Sequence, residues 1–162
     1  DNWGAPSHKQ AVRRVSDLLY EGIADSLAPT RETVEALQYL ASVDEIHMVT
    51  GRQTNLEPAT HRMLERYLPG IFRTVEHTNY YADPERGFVS RTKGEVCAAI
   101  GADVLIDDHI VHASSVLESG LQEVIVWGDY PWNHDQKLKP GMVRCVSWEE
   151  VFRERERILA DR

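Results

Sequence analysis

The sequence predicts an α/β protein, a three-layer Rossmann-like arrangement in which helices cover both faces of a parallel sheet. Two observations support this prediction. Short apolar runs, read as buried strands, alternate with stretches whose apolar residues recur at helical spacing. Turn residues such as Gly and Pro separate many of these segments. At 162 residues, the chain has the length of one domain with a substantial apolar core.

The first elements follow a turn-like opening, DNWGAP. Helical spacing in SHKQAVRRVSDLLYEGIADSL predicts a helix with Ser7 as its N-cap. APTRETVEALQYLASV predicts a second helix that begins after Thr30 and lacks a full capping box. EIHMVTGR then predicts a buried strand that ends at Thr50.

The middle of the chain repeats this alternation. NLEPATHRMLERYL predicts a helix closed by Pro69-Gly70, and RTVEHTNY predicts a strand. TKGEVCAAIGA predicts a short helix that Gly101 stops, and DVLIDD predicts the strand after it.

The last third supplies four more elements. HIVHASSVLESG predicts a helix capped by Gly120. EVIVWGD and VRCVS predict two strands. The terminal helix is predicted in SWEEVFRERERILA, with Ser147 as N-cap and acidic residues in its first turn.

Composition excludes several classes of function. A net charge of −8 argues against non-specific affinity for nucleic acid or for an anionic membrane. No apolar run is long enough to span a bilayer, and the first residues lack the pattern of a signal peptide. The isolated Cys97 and Cys145 are expected to be packed, reduced thiols. We therefore expect an intracellular, cytoplasmic protein.

Oxygen-bearing side chains follow three predicted strands: Thr50, the pair Asp107 and Asp108, and Asp129. In open α/β sheets, the ligand site lies at the carboxyl ends of the strands. Paired carboxylates suit a hard divalent ion such as Mg²⁺.

Phosphate is the anion that fits the neighbouring groups. The Thr50 hydroxyl and the amides of Gly51 and Arg52 suit a phosphate oxygen, and Lys93 would bind the same anion. The set predicts a phosphoryl-transfer site.

Each residue also has a simpler interpretation when taken alone. Asp108 could merely cap the helix that follows, Thr50 could be an ordinary turn residue, and Lys93 could be a solvated residue at a helix start. The adjacent acidic pair is more specific, because a structural cap needs one carboxylate rather than two. The ordered set of hydroxyl, ammonium and acidic pair favours a functional site.

Two further features leave alternatives open. His109 and His112 are three residues apart on a predicted helix, but no third ligand stands at a zinc-like spacing, so they are expected to be solvated surface residues. The segment WGDYPWN, residues 127–133, is either a rigid loop packed on the rim of the site or a surface turn held by aromatic packing.

The ordered set resembles the haloacid dehalogenase (HAD) superfamily of phosphatases, in particular its nucleotidase-like members. IHMVTGR is similar to the family's second motif, RTKGEVCAAIGA to its third, and DVLIDD to its fourth. The resemblance covers roughly residues 28–150. It implies catalytic roles for Lys93 and Asp108, phosphate binding by Thr50, Gly51, Arg52 and Lys93, and Mg²⁺ binding by Asp107 and Asp108.

The family's first motif, a strand ending in Asp-x-Asp, has no counterpart in the sequence. In the family, the first Asp of this motif is the nucleophile, and the strand lies between those matching Thr50 and Asp107. The resemblance therefore implies part of a helical cap at residues 1–27 and a HAD-like core at residues 28–162 without its central strand. An N-terminal segment or a protein partner would complete the sheet, or the sheet would close across the gap.

Three functions follow from these observations. The first is a Mg²⁺-dependent phosphatase acting on a small phosphorylated substrate, inactive as written because the nucleophile is missing. The alternative is a degenerate domain, a pseudoenzyme that acts as a binding or structural subunit of a larger assembly. A receiver-type binding domain is set aside, because its acidic pair usually precedes the Thr, whereas here it follows.

Overall fold

The structure, a computed structural model, describes residues 4–80 and 87–160. Within these ranges it is α/β, with six α-helices, five strands and two parallel sheets. The chain divides into two compact units, Asp1–Ser90 and Arg91–Arg162. None of the described helices combines the length and apolar character needed to cross a membrane. The α/β class and the parallel pairing of the strands are confirmed.

The first unit contains three helices and one pair of strands. Its elements are α1 (His8–Tyr20), α2 (Arg31–Val43), β1 (His47–Thr50), α3 (Glu57–Tyr67) and β2 (Thr74–His77), with short 3₁₀ turns at Ile23–Ser26 and Thr54–Leu56. Strands β1 and β2 are parallel, and Thr50 is paired with His77. The predicted turn at residues 1–6 begins outside the described residues.

The predicted N-caps of the first two helices are confirmed. The Ser7 side chain accepts a hydrogen bond from the Gln10 N–H at 3.3 Å, and the Thr30 side chain accepts one from the Thr33 N–H at 3.2 Å. Each bond satisfies one of the amide donors that the first turn of a helix leaves unpaired. Local sequence therefore fixes where both helices begin.

The second unit contains a three-stranded sheet. Its elements are α4 (Lys93–Ile100), β3 (Leu105–Asp107), α5 (Ile110–Glu118), β4 (Val124–Trp127), β5 (Met142–Cys145) and α6 (Trp148–Ala160). The strand order is β3-β4-β5, all parallel, with Asp107 paired with Val126. In β4, Val124, Ile125 and Val126 are fully buried, as expected for a strand covered on both faces.

Three predicted helix ends in the second unit are confirmed. Gly101 ends α4 in the left-handed conformation, with φ of 68°. Gly120 follows α5 with φ of 105°, and the Leu121 N–H bonds back to the Val116 carbonyl, the pattern of a glycine-terminated helix. The Ser147 hydroxyl caps α6 by accepting from the Glu150 N–H at 3.3 Å.

The core of the second unit lies between its sheet and α6. Ile125 and Cys145 from the sheet pack with Val151 and Ile158 from the helix. Cys97 and Cys145 are both free and buried, and burial raises the pKa of each thiol to about 11. The prediction of packed thiols is confirmed.

The strands that end at Thr50 and Asp107 belong to different sheets. Within residues 4–80 and 87–160, β1 pairs only with β2, and β3 pairs only with β4. Each is therefore an edge strand in the part of the chain that the structure describes. A missing central strand between them stays a prediction, as does the division into residues 1–27 and 28–162.

Candidate functional site

A buried ion pair lies at the carboxyl end of the second sheet. Lys93 is the first residue of α4, Asp107 is the last residue of β3, and the Lys93 Nζ contacts the Asp107 Oδ2. The two side chains are only 12% and 4% exposed. The other carboxylate oxygen accepts the His109 N–H at 2.9 Å. Lys93 is therefore not the solvated helix-start residue of the simpler interpretation.

Close packing of α4 on α5 positions the lysine. The Gly94 N–H donates to the Ser115 Oγ at 3.2 Å. A methyl group at Gly94 would lie 2.6 Å from the Ser115 carbonyl carbon and closer still to its oxygen. Only a residue without a side chain fits at this contact. The glycine that follows Lys93 is thus part of the geometry that presents Lys93 to Asp107.

Asp108 has partners that differ from those expected. Its carboxylate accepts from the Trp132 indole N–H at 2.9 Å, and its backbone carbonyl accepts from the Asn133 Nδ2 at 2.9 Å. The cap of α5 is His109, whose ring accepts from the Val111 N–H at 3.3 Å. The alternative of Asp108 as a helix cap is therefore wrong, and the partner of Lys93 is Asp107.

The loop after β4 is fastened to this end of the sheet through Asn133, which is fully buried. Its Nδ2 also donates to the Trp127 carbonyl at 3.2 Å, and its Oδ1 accepts from the Tyr130 N–H and the Arg144 guanidinium, both at 2.9 Å. Arg144 donates further to the carbonyls of Gly128 and Asn133. Of the two interpretations of residues 127–133, these bonds favour a rigid loop held beside Asp108.

Sequence reasoning did not single out Asn133 or Arg144. The signal available for Asn133 was its place at the end of WGDYPWN, a turn-rich segment with two tryptophans. Arg144, inside a short strand, gave no such signal.

The prediction of two solvated histidines is wrong for His112, which is buried. Its ring centroid lies 5.2 Å from that of His109. Burial lowers the pKa of His112; Asp107 and Asp108 act in the opposite direction, whereas Lys93 and His109 add to the lowering. His112 stands four residues before the buried Val116 on one face of α5. That spacing was the signal that could have predicted its burial.

Asp129 lies two residues beyond the end of β4 rather than at the strand end itself. Its carboxylate contacts the His134 Nδ1 at 2.6 Å, and the Arg144 NH1 lies 4.0 Å away. The bond to Asp129 raises the pKa of His134. These contacts give Asp129 a role in holding the loop.

The first unit holds the residues predicted to bind phosphate through backbone amides. Thr50 ends β1, and its hydroxyl accepts from the Arg52 N–H at 3.3 Å. The Arg52 guanidinium donates to the Thr60 hydroxyl at 3.2 Å, and burial lowers its pKa. No carboxylate pairs with Arg52 in residues 4–80 and 87–160. A half-buried guanidinium that has no carboxylate partner is available to pair with an anionic ligand.

The two groups of predicted residues belong to different units. Thr50, Gly51 and Arg52 lie in the first, and Lys93, Asp107 and Asp108 lie in the second. Within the second unit, the structure brings Lys93 and Asp107 into contact and places Asp108 next in the chain. The convergence of all six residues on one ligand stays a prediction.

The acidic pair provides the right type of donor for Mg²⁺, but not a complete ligand set. No cluster of three His, Cys, Asp or Glu side chains suited to a metal ion occurs in the described residues. Asp107 is also partly neutralised by Lys93. Mg²⁺ typically takes one or two carboxylates together with water and phosphate oxygens. Asp107 and Asp108 fit that chemistry only if further oxygen ligands come from elsewhere.

Comparisons of the chain with profiles of protein families, with curated proteins and with solved structures gave no match. The structure itself defines an α/β protein with parallel sheets and a buried lysine–aspartate pair at a strand end.

Proposed function

We propose that this chain is the phosphate- and Mg²⁺-handling part of a HAD-like, Rossmann-like phosphatase, with a small phosphomonoester of the nucleotide type as its substrate class. The observation that carries the proposal is the buried pair of Lys93 and Asp107 at the carboxyl end of a parallel strand. Ligands bind at that end of such sheets. A buried ion pair is seldom a gain in stability over apolar packing, so its presence here favours a functional role.

Lys93 and Asp107 have complementary roles in this proposal. The Lys93 ammonium has three donor hydrogens, and Asp107 takes one of them, which leaves donors for a phosphate oxygen. Asp107 keeps lone pairs for a cation after accepting from Lys93 and from the His109 amide. Bound Mg²⁺ would supply neutralisation of the phosphate charge. Asp108, bonded to Trp132, would act beside Asp107 through its second oxygen.

Thr50, Gly51 and Arg52 stay predicted phosphate ligands. The Arg52 guanidinium, which donates to the Thr60 hydroxyl and pairs with no carboxylate of the described residues, supports that role. The nucleophile is proposed to come from a strand that is not in this sequence, carried by a preceding segment or a partner chain. The edge positions of β1 and β3 in the described residues support this part of the proposal, because an edge strand has backbone groups that can pair with another strand.

The second candidate is a pseudoenzyme, a degenerate domain that serves as a binding or structural subunit of a larger assembly and does not use these groups for phosphate or Mg²⁺. One observation favours it: both acidic residues are engaged by groups of the chain itself, Asp107 by Lys93 and Asp108 by Trp132. A domain retained for binding or assembly would keep such internal bonds. The two candidates differ in whether added phosphate and Mg²⁺ compete for these groups.

The test is thermal unfolding of the full chain with inorganic phosphate, with and without MgCl₂, at constant ionic strength. We expect stabilisation by phosphate that increases with MgCl₂. Relative to each variant's own baseline, Lys93→Gln should remove the phosphate effect, and Asp107→Asn should remove the Mg²⁺-dependent part. Lys137→Gln, at an exposed lysine of the same unit, is the matched control and should change neither.

Absence of any phosphate stabilisation, or an undiminished effect in Lys93→Gln, would contradict the proposal. Hydrolysis of a phosphomonoester by the chain alone, lost in Lys93→Gln, would show that the missing nucleophile is not required. Stabilisation without hydrolysis is the result expected for the chain as written.

A further inference from the structure

Trp132 is an exposed aromatic residue with a fixed orientation. Its side chain is 51% exposed, yet its indole N–H is bonded to the Asp108 carboxylate at 2.9 Å. Its ring stacks on Tyr130, with centroids 4.6 Å apart and planes inclined by 10°. Tyr130 covers one face of the indole, and about half of the Trp132 surface stays exposed to solvent. The result is a flat aromatic surface beside Asp108.

The support beneath Trp132 reaches the core of the second unit. The Tyr130 hydroxyl accepts from the Trp127 indole N–H at 3.2 Å, and the Tyr130 N–H is bonded to the buried Asn133. Trp127 in turn contacts Trp148, with ring centroids 4.7 Å apart. The exposed ring is thus attached to the sheet through a continuous series of contacts. The Trp132 ring is therefore already oriented before a ligand binds.

Such a ring has a specific chemical use. A π face that is already oriented loses little side-chain entropy when a second flat ring stacks on it. Stacking of a base on an aromatic side chain strengthens binding by about tenfold or more. The indole N–H is bonded to Asp108, and Asp108 directly follows Asp107, the ion-pair partner of Lys93. A ligand that carries both an anionic group and a flat ring could bind Lys93 through the anion and stack on Trp132 through the ring.

We propose that Trp132 is a stacking surface for the planar aromatic ring of a phosphorylated substrate whose phosphate binds at Lys93. This inference rests on the proposed function for its phosphate part, and on the geometry of Trp132 for its aromatic part. Trp132 is a specificity residue in this scheme: it selects the substrate without taking part in phosphoryl transfer. The shared chemistry of the ligand class is an aromatic ring, either a nucleobase or a simple aryl group.

The test is equilibrium binding to the full chain, by calorimetry, of four probes: AMP, phenyl phosphate, ribose 5-phosphate and adenosine. We expect AMP to bind about tenfold more tightly than ribose 5-phosphate, which has the same phosphate and sugar but no ring. Phenyl phosphate as tight as AMP would assign the site to aryl groups in general. Phenyl phosphate as weak as ribose 5-phosphate would assign it to nucleobases, and either result supports the stacking surface.

Trp132→Ala should weaken AMP binding to the level of ribose 5-phosphate and leave ribose 5-phosphate binding unchanged. Trp132→Phe keeps a stacking face without the bond to Asp108 and should retain a preference for AMP, which guards against a loss of folding in the alanine variant. Tyr20→Ala, at an exposed aromatic of the first unit, is the matched control and should alter neither affinity.

The outcomes separate this inference from the proposed function. Equal affinity of the unmodified chain for AMP and ribose 5-phosphate, with Lys93-dependent phosphate binding intact, would overturn the stacking surface alone. Adenosine binding that Trp132→Ala abolishes, without any stabilisation by inorganic phosphate, would keep the stacking surface and overturn the phosphatase proposal.

Discussion

Lys93 and Asp107, fourteen residues apart in the chain, form an ion pair that is almost completely withdrawn from solvent. The pair joins the start of α4 to the end of β3. Two charges removed from water stabilise the protein only through each other and through their other hydrogen bonds. The loss of either partner therefore leaves a buried charge without compensation.

The first prediction is a strong energetic coupling between these residues. Lys93→Met alone should lower the free energy of unfolding by about 3–5 kcal/mol, because it leaves the Asp107 carboxylate buried without its cation. Lys93→Met combined with Asp107→Asn should cost less than the sum of the single changes, because the second change removes that isolated charge. Urea unfolding of the four proteins in the cycle measures the coupling. Additive effects would contradict the ion pair.

The second prediction concerns the contact between α4 and α5. Gly94→Ala should destabilise the protein by about 1–3 kcal/mol, because the added methyl group meets the backbone of Ser115. Alanine is otherwise the better helix former, so a cost in this direction isolates the steric effect. Ala98→Ser, at an exposed position of the same helix, should change the free energy of unfolding by no more than about 0.5 kcal/mol.

The third prediction concerns Asn133, whose side chain makes four hydrogen bonds. Asn133→Ala should lower the free energy of unfolding by about 3 kcal/mol, because it leaves partly buried partners such as the Asp108 carbonyl unsatisfied. Chemical denaturation measures this loss. Asn55→Ala, at an exposed asparagine, serves as the control. An effect of equal size in the two variants would contradict the proposed role of Asn133 in fixing the loop.

The fourth prediction is a loss of stability in acid through His77. The Thr60 hydroxyl donates to the Leu56 carbonyl at 3.0 Å, so it accepts from the His77 Nε2, which must carry the proton. Burial lowers the pKa of His77, and Arg52 and His61 add to that effect, whereas Glu57 and Glu76 oppose it. A neutral ring with Nε2–H is therefore the form that the folded protein holds.

The sign of the pH effect follows from linkage. The unfolded chain binds a proton at His77 near pH 6.5, and the folded chain binds it only at lower pH. Stability should therefore be unaffected above about pH 6.5 and should fall as the pH drops from there to the folded pKa. Urea midpoints between pH 7.5 and 5 should show a shallower decline in His77→Gln than in the parent chain. Parallel declines would exclude His77 as a contributor.

The positions of helices and strands followed from local signals. Ser7, Thr30 and Ser147 mark helix starts through bonds to amides three residues away, and Gly101 and Gly120 mark helix ends through their positive φ. Each signal involves only neighbours in sequence. Reading the sequence alone was therefore sufficient for the elements and for the α/β class.

The partners of the acidic residues could not be predicted in the same way. Asp108 is bonded to Trp132, 24 residues later, and a side chain-to-side chain bond at that separation leaves no periodic pattern in the sequence. The absence of a third ligand at a zinc-like spacing predicts a surface position for His112, but the packing of α5 buries it. Tertiary packing determines both the partner of Asp108 and the burial of His112. It also determines which of the two adjacent aspartates pairs with Lys93.

Helix α4 is only eight residues long, yet both of its ends are fixed. Thr92 and Glu95 bond each other's backbone amides at the start, and Gly101 closes the end. A start displaced by one residue would rotate every side chain by about 100° around the helix axis. Two solvent-facing residues, Thr92 and Glu95, therefore fix the direction in which Lys93 enters the interior. A substitution of either surface residue would displace the buried Lys93 ammonium, which carries the proposed phosphate site.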